Sequence, residues 1–142
     1  MKIRLLMLGK TRRAEMRAVL DDYVKRVGRY ATTEVAEVRD ESAMLKKLDA
    51  ERAATVVLLD AGGKTLNSEE FAKWLGGLRD RGTRELIFVC GDADGFPEAV
   101  SARARQKLSL GAMTFSHELA RVMLAEQLYR AFAILSGSPY PK

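Results

Sequence analysis

Cysteine, proline and histidine are scarce in this sequence of 142 residues, which contains one cysteine, three prolines and one histidine. A single cysteine, Cys90, excludes a disulfide framework and gives no zinc-ligand spacing, so we expect a buried thiol in a reducing compartment. No stretch approaches the roughly 20 apolar residues of a membrane span, and the first apolar run is too short for a secretory signal. We therefore expect a cytoplasmic protein with no membrane partner.

The sequence also lacks the common nucleotide-binding fingerprints. Gly-Lys-Thr occurs at 9–11 and 63–65, but a P-loop requires a glycine five residues before the Gly-Lys pair, where the chain has Arg4 and Leu58. No G-x-G-x-x-G follows a predicted strand. Neither ATP hydrolysis nor dinucleotide binding is expected.

Apolar residues make up 47% of the chain, which is enough for one core in a length typical of a single domain, 1–142. Short β-rich runs alternate with helical stretches. The pattern predicts strands at 2–9, 32–40, 55–60, 85–91 and 107–115, and helices at 12–29, 41–53, 67–81, 97–105 and 117–136. This alternation favours an α/β fold, with a mostly parallel sheet and helices on both faces.

Ligands of such sheets bind where loops leave the carboxyl ends of strands. The fourth predicted strand leads into "GDADG", which has two glycines and two acids, Asp92 and Asp94. A phosphate-binding loop usually offers backbone N–H groups and a lysine. The two aspartates therefore indicate a neutral or cationic ligand.

The last predicted helix is apolar around nearly its whole circumference. Such a helix is buried on more than one side, and in so small a domain a second subunit is a plausible cover. We expect a homodimer. Glu126 and Arg130 are polar exceptions on this helix, and their i,i+4 spacing also fits a purely structural ion pair.

The C-terminal sequence has a specific motif, H-x-L-x-R-x-x-L-x-E-Q-x-Y-R-A, followed by a Pro-Tyr tail. With the strand that ends in "GDADG" and the segment "SLGAMTF", it resembles the SPOUT methyltransferases that methylate N3 of a pseudouridine in large-subunit ribosomal RNA. The resemblance spans essentially the whole chain. It implies a SPOUT-type α/β knot, in which a deep C-terminal trefoil knot binds S-adenosylmethionine at a dimer interface.

The resemblance also implies the cofactor contacts, and each of these residues is otherwise explicable as strand core or turn. They are Leu59, Gly91, Leu110, Gly111, Ala112, Met113, Thr114 and Phe115. No metal is implied. Two positions depart from the family pattern: Asp92 replaces the second glycine of a Gly-Gly pair, and Pro141 replaces the histidine of a Pro-Tyr-His tail.

Three residues are candidates for catalysis. Arg130 can stabilise the negative charge of a deprotonated uracil-type imide or bind a phosphate. Tyr140 can orient or stack on the base, or merely pack on the dimer partner. His117 stands at a predicted helix N-terminus, where the dipole disfavours imidazolium, so it is either a proton acceptor or a packed or capping ring.

The formal net charge of +5 is compatible with a nucleic-acid partner and decides little alone. Basic residues that could bind RNA, or simply be solvated, are Lys10, Arg12, Arg13, Arg17, Lys25, Arg26, Arg29, Arg103, Arg105 and Lys107. The resemblance implies the ribosome and its 23S RNA as the partner, and not DNA. A rival hypothesis is a non-catalytic RNA-binding or ribosome-assembly dimer that lost turnover through Asp92 and Pro141.

Overall fold

The computed structural model describes residues 1–91 and 95–140, and in them strands and helices alternate strictly. All five strands lie in one parallel sheet in the order β2-β1-β4-β3-β5, which confirms the predicted α/β fold class. In chain order the elements are β1 Lys2–Leu8, α1 Ala14–Val27, β2 Thr33–Val38, α2 Glu41–Ala50, β3 Thr55–Thr65, α3 Ser68–Asp80, β4 Glu85–Cys90, α4 Glu98–Ser101, β5 Gln106–Ser109 and α5 His117–Ser136.

Helices cover both faces of this sheet. Alternate residues of an inner strand point to opposite faces, and both sets are apolar, so each face needs a helical layer to bury it. In β4, Phe88 and Cys90 belong to the core formed with α1, α3 and α5. Ile87 and Val89 belong to a second core, formed with α2 and α4. The continuous apolar run of β4 is therefore that of a strand buried on both faces.

Strand β3 runs five residues past its predicted end at 60, because its pairing with β5 resumes after a register shift. Leu108 lies opposite Leu59 and again opposite Lys64. A Cβ on Gly63 would lie 2.6 Å from the carbonyl carbon of Lys107. Glycine at this position thus permits the close approach of the two strands.

Two other elements, α4 and β5, are shorter than predicted. Helix α4 has four residues instead of the predicted 97–105, since the chain after it turns back to the sheet, where Arg105 N donates to Val56 O at 2.9 Å. Strand β5 ends at Ser109 instead of 115. The segment 110–115 is therefore a loop, which matters for the site described below.

Helix α5 is defined by its caps: Ser116 Oγ accepts from Leu119 N at 3.2 Å, and Gly137 adopts a left-handed φ of 76°. It packs against both α1 and α3 of its own subunit. None of the helices in the part of the chain that the structure describes combines the length and apolar character needed to cross a bilayer. The single domain and the trefoil knot remain predictions, with which one sheet of this strand order is consistent.

Candidate functional site

A cleft of about 240 Å³ lies where β4 ends and β3 has its register shift, between the loop that follows β5 and the first turn of α5. It brings together most of the predicted cofactor contacts: Leu59, Gly91, Leu110, Gly111, Met113, Thr114 and Phe115. Ala112 is exposed and does not line it. The site thus lies at the sheet edge that parallel α/β folds use for ligands.

The loop 110–115 owes its shape to a short-range hydrogen-bond pair. Ser109 Oγ donates to Gly111 O at 2.9 Å and accepts from Gly111 N at 3.1 Å. Gly111 has a φ of 151°, which side-chain-bearing residues rarely adopt. These features turn the chain away from β5, and they place Met113, whose exposed fraction is 79%, at the cleft.

Gly91 is also required by its surroundings. A Cβ there would lie 2.8 Å from Gly95 O and 3.3 Å from Phe96 Cε1. Glycine at this position therefore permits the close approach of Gly95 and Phe96, and this requirement exists without any ligand. Asp92 and Asp94, on which the prediction of a neutral or cationic ligand depended, lie outside the described residues, as does Pro141.

The described lining is mostly apolar and includes residues that were not predicted as contacts, among them Asp60, Phe96 and Ala120. Asp60 could have been found from its place directly after Leu59 at a strand exit, whereas nothing in the local sequence marks Phe96. Burial raises the pKa of the Cys90 thiol to about 12, so this part of the wall is neutral and unreactive. Neither lysine nor arginine lines the described part of the cleft.

His117 lines the cleft from the first turn of α5, and 34% of its side chain is exposed. Its Nε2 lies 3.9 Å from Glu118 Oε2. Hydrogen bonds from the Arg12 backbone, and secondarily from the Arg13 backbone, lower the pKa of Glu118 in spite of its burial. His117 therefore lies between a ligand cleft and a carboxylate that is ionised at neutral pH.

Arg130 and Tyr140 lie together elsewhere on α5 and the tail, around Glu126. The carboxylate of Glu126 accepts from Arg130 Nη2 at 2.6 Å and from Tyr140 Oη at 2.7 Å. Arg130 Cζ lies 5.3 Å from the centroid of the Tyr140 ring. The predicted i,i+4 ion pair is thus present, and the tail is attached to it.

This cluster has defined protonation. The hydrogen bond to Glu126 raises the pKa of Arg130, and burial, followed by the bond to Glu126, raises the pKa of the Tyr140 phenol. Both groups therefore act as hydrogen-bond donors near neutral pH. Tyr140 is not a general base in this arrangement.

The structure separates the three predicted catalytic residues into two groups. His117 and Arg130 are thirteen positions apart on one helix, which corresponds to about 20 Å along its axis. Neither Arg130 nor Tyr140 lines the cleft. Within 1–91 and 95–140, no three His, Cys, Asp or Glu side chains come together in a way that could bind a metal ion.

Comparison with known proteins gives these features a context. The family model described as "Predicted SPOUT methyltransferase" matches residues 1–141. The chain belongs to this SPOUT methyltransferase family. Among its SPOUT relatives, a ribosomal RNA large subunit methyltransferase H from Koribacter versatilis is 45% identical, over 99% of this chain and 97% of the relative. A protein of the same name from Geotalea daltonii is 40% identical, over 99% of both chains.

Solved structures share the SPOUT fold at low sequence identity. A probable methylase family protein from Haemophilus influenzae aligns with a TM-score of 0.65 and 13% identity, over 99% of this chain and 70% of that one. The SpoU methyltransferase AviRb from Streptomyces viridochromogenes, solved in complex with AdoMet, aligns with a TM-score of 0.52 and 11% identity, over 97% and 61% of the two chains. These likenesses concern the fold alone.

Proposed function

We propose that this SPOUT protein transfers a methyl group from S-adenosylmethionine to N3 of a pseudouridine in 23S ribosomal RNA, acting on the ribosome in the cytoplasm. The observation that carries the proposal is the cleft at the carboxyl end of β4 and the register shift of β3, where seven of the predicted cofactor contacts come together. The relatives named as ribosomal RNA large subunit methyltransferase H support the RNA substrate.

The chemistry of the cleft fits this cofactor. Leu59, Phe96, Leu110 and Phe115 offer apolar walls suited to an adenine ring, and the described lining has no cation of the kind that polyphosphates require. Asp60 offers a carboxylate to ribose hydroxyl groups or to a positive charge. The bound cofactor would supply a methyl group activated by a sulfonium cation.

The residues of the chain must make N3 nucleophilic. The imide N3–H loses its proton before the N–CH₃ bond forms, and negative charge then spreads to the flanking carbonyl oxygens. We assign His117 Nε2 as the acceptor of this proton, because the His117 ring lines the cleft and lies beside the carboxylate of Glu118. Arg130 stabilises the carbonyl charge, and Tyr140, whose hydroxyl proton is donated to Glu126, orients the base through its ring.

These roles require two subunits, because the two groups of residues are about 20 Å apart on one α5. A homodimer in which Arg130 and Tyr140 of one subunit face the cleft of the other satisfies the distance. The outer face of α5 supports it: Leu119 and Ile134 are 38% and 39% exposed, and the Glu126–Arg130 pair lies between them. An exposed apolar stripe with a central ion pair suits a partner surface.

Methylation of ribosomes in vitro tests the proposal. Purified protein and labelled S-adenosylmethionine are incubated with ribosomes from a strain that lacks the modification, and the modified nucleoside is identified by mass spectrometry. We expect N3-methylpseudouridine at one position, a calorimetric dissociation constant tighter than about 1 mM, roughly 4 kcal/mol of binding, and a dimer by light scattering. Cofactor binding without any methylation would favour the non-catalytic alternative, and a monomer would contradict the two-subunit site.

A further inference from the structure

The structure divides the basic residues into paired and unpaired groups. Several candidates for RNA contact already have carboxylate partners: Arg17 with Glu37 at 2.8 Å, Arg26 with Asp22 at 3.2 Å and Arg103 with Asp49 at 2.8 Å. Six exposed candidates have no ion-pair partner within the described residues: Lys10, Arg12, Lys25, Arg29, Arg105 and Lys107. Of these, Lys10 and Arg12 belong to the loop whose backbone donates to Glu118, beside the cleft. Phosphates would therefore bind these two cations without competition from a neighbouring carboxylate.

Lys10 and Arg12 belong to the loop 9–13 between β1 and α1, and acceptors in other elements bind its backbone. Gly9 N donates to Val38 O at 2.7 Å, and Thr11 N donates to Glu37 Oε2 at 2.8 Å. Arg12 N and Arg13 N donate to the two oxygens of Glu118 at 2.8 and 3.1 Å. Of the five backbone N–H groups of the loop 9–13, those of Gly9, Thr11, Arg12 and Arg13 are thus hydrogen-bonded to neighbouring elements.

Arg121 also holds this loop in place, from its buried side. Its side chain is completely buried and donates to Leu8 O at 2.7 Å and to Thr11 Oγ1 at 2.8 Å. Thr11 is itself 3% exposed, whereas the residues on both sides of it are exposed. The loop therefore has an anchored centre and two cations held at the surface.

The loop lies next to the cleft. Glu118 Oε2, which binds Arg12 N, is also the oxygen 3.9 Å from His117 Nε2, and the His117 ring lines the cleft. Two contacts through one carboxylate thus connect the Arg12 backbone with the wall of the site. A base that enters the cleft brings its own phosphates and those of its neighbours to this region.

We propose that Lys10 and Arg12 bind backbone phosphates of the RNA beside the target nucleotide, on a loop that Glu118 and Arg121 hold in place. This inference rests on the proposed RNA substrate. Fixing a loop costs conformational entropy. Here that entropy is lost when the protein folds, so less conformational freedom is lost when RNA binds. Arg12 can contact a phosphate with two parallel N–H donors, and Lys10 acts as a point charge.

The test uses a double variant, Lys10→Gln with Arg12→Gln, and a matched control, Lys46→Gln with Lys47→Gln. The control removes the same charge from two exposed residues of α2, which packs on the opposite face of the sheet. Binding of each dimer to ribosomes is measured over a range of KCl concentrations. We expect the slope of log K against log [salt] to fall by about 2 in the loop variant and to stay parental in the control.

Cofactor binding and the melting temperature should be parental in both variants, because the four side chains are exposed. A parental salt slope in the loop variant, or an equal loss in the control, would overturn the phosphate role. If the parental protein binds ribosomes but does not methylate them, the proposed reaction fails while the slopes still decide the role of the loop. Absence of any ribosome binding by the parental protein would overturn both.

Discussion

The cofactor cleft and the Glu126–Arg130–Tyr140 cluster are built on different principles. Backbone turns shape the cleft, through Gly91 and Gly111, and its walls are mostly apolar. Side-chain hydrogen bonds around one carboxylate form the cluster. The cleft suits a ligand that needs shape and dry surroundings, whereas the cluster suits a charged or polar reaction partner. Because Arg130 and Tyr140 do not line the cleft, substitutions in the cluster should leave the shape of the cleft unchanged.

The largest effect is expected from Arg130→Ala. Loss of charge stabilisation at the base should lower single-turnover methylation by about 100-fold, roughly 2.7 kcal/mol, with cofactor affinity unchanged. Because the pair is partly solvated and Glu126 keeps Tyr140 and Gln127 as donors, the unfolding free energy should fall by only about 1–2 kcal/mol.

Arg130→Lys is the matched control for charge. It preserves the cation and loses the two-pronged geometry, so a substantial loss of rate in a stable dimer is expected. Melting curves and rates should come from the same preparations. Parental rates in both variants would remove Arg130 from the reaction and leave it as the structural partner of Glu126.

Substitution in the cleft should weaken cofactor binding, whereas substitution of Arg130 should slow methylation without changing cofactor affinity. Gly111→Ala places a side chain on a residue with a φ of 151°, a strain of about 1–3 kcal/mol that the loop relieves by moving. Calorimetry should show S-adenosylmethionine binding weakened by about 10-fold or more, with the dimer and the Glu126 cluster intact. Gly137→Ala, at another positive φ at the end of α5, is the control, and it should leave cofactor affinity unchanged.

Tyr140→Phe should have a smaller effect on the methylation rate, and it separates the role of the Tyr140 hydroxyl from that of its ring. It removes the hydroxyl that donates to Glu126 at 2.7 Å and keeps the ring near Arg130. A hydrogen bond to a charged group contributes about 1.5–3 kcal/mol, and the partial solvation of this one reduces its contribution to about 1 kcal/mol. We therefore expect methylation about 5-fold slower and cofactor binding unchanged. Tyr140→Ala should be slower than Tyr140→Phe if the ring itself contacts the base, and equal rates would assign the whole effect to the hydroxyl.

The smallest effect concerns acid stability. The folded-state pKa of Glu118 is lowered from its ordinary 4.5, so its stabilising contribution is complete above pH 4.5 and is lost as pH falls through the lower folded-state value. The free energy of unfolding, measured in urea from pH 6 to 3, should depend less on pH in Glu118→Gln than in the parental protein. The matched control is Glu98→Gln, which makes the same substitution at an exposed residue of α4.

The fold was largely predictable because its signals are local. Alternating apolar runs located all ten elements, and α3 begins with a capping box, a local motif formed by Asn67 and Glu70. The lengths of β3 and β5 were not predictable, because the register shift at Leu108 depends on the partner strand. Local hydrophobicity contains no information about such pairing.

The site was predictable only in part. The resemblance implied the cofactor contacts, and the structure brings seven of them together, while their role stays a prediction. The sequence did not reveal that Glu118 binds the backbone of Arg12 and Arg13, since those residues are more than 100 positions apart. The sequence marked Arg121 only as one residue of the C-terminal motif, and it did not predict that the side chain binds Leu8 and Thr11.

The register shift between β3 and β5 makes the cleft sensitive to chain length. Leu108 pairs with Leu59 before the shift and with Lys64 after it, so the residues between them set where the loop 110–115 starts relative to Asp60. Removing one residue there would either break the second pairing or turn alternate side chains of β3 to the opposite face. In homologous chains, insertions and deletions should therefore be rarer at 60–63 than in the surface turn around Gly82, although both segments connect regular structure.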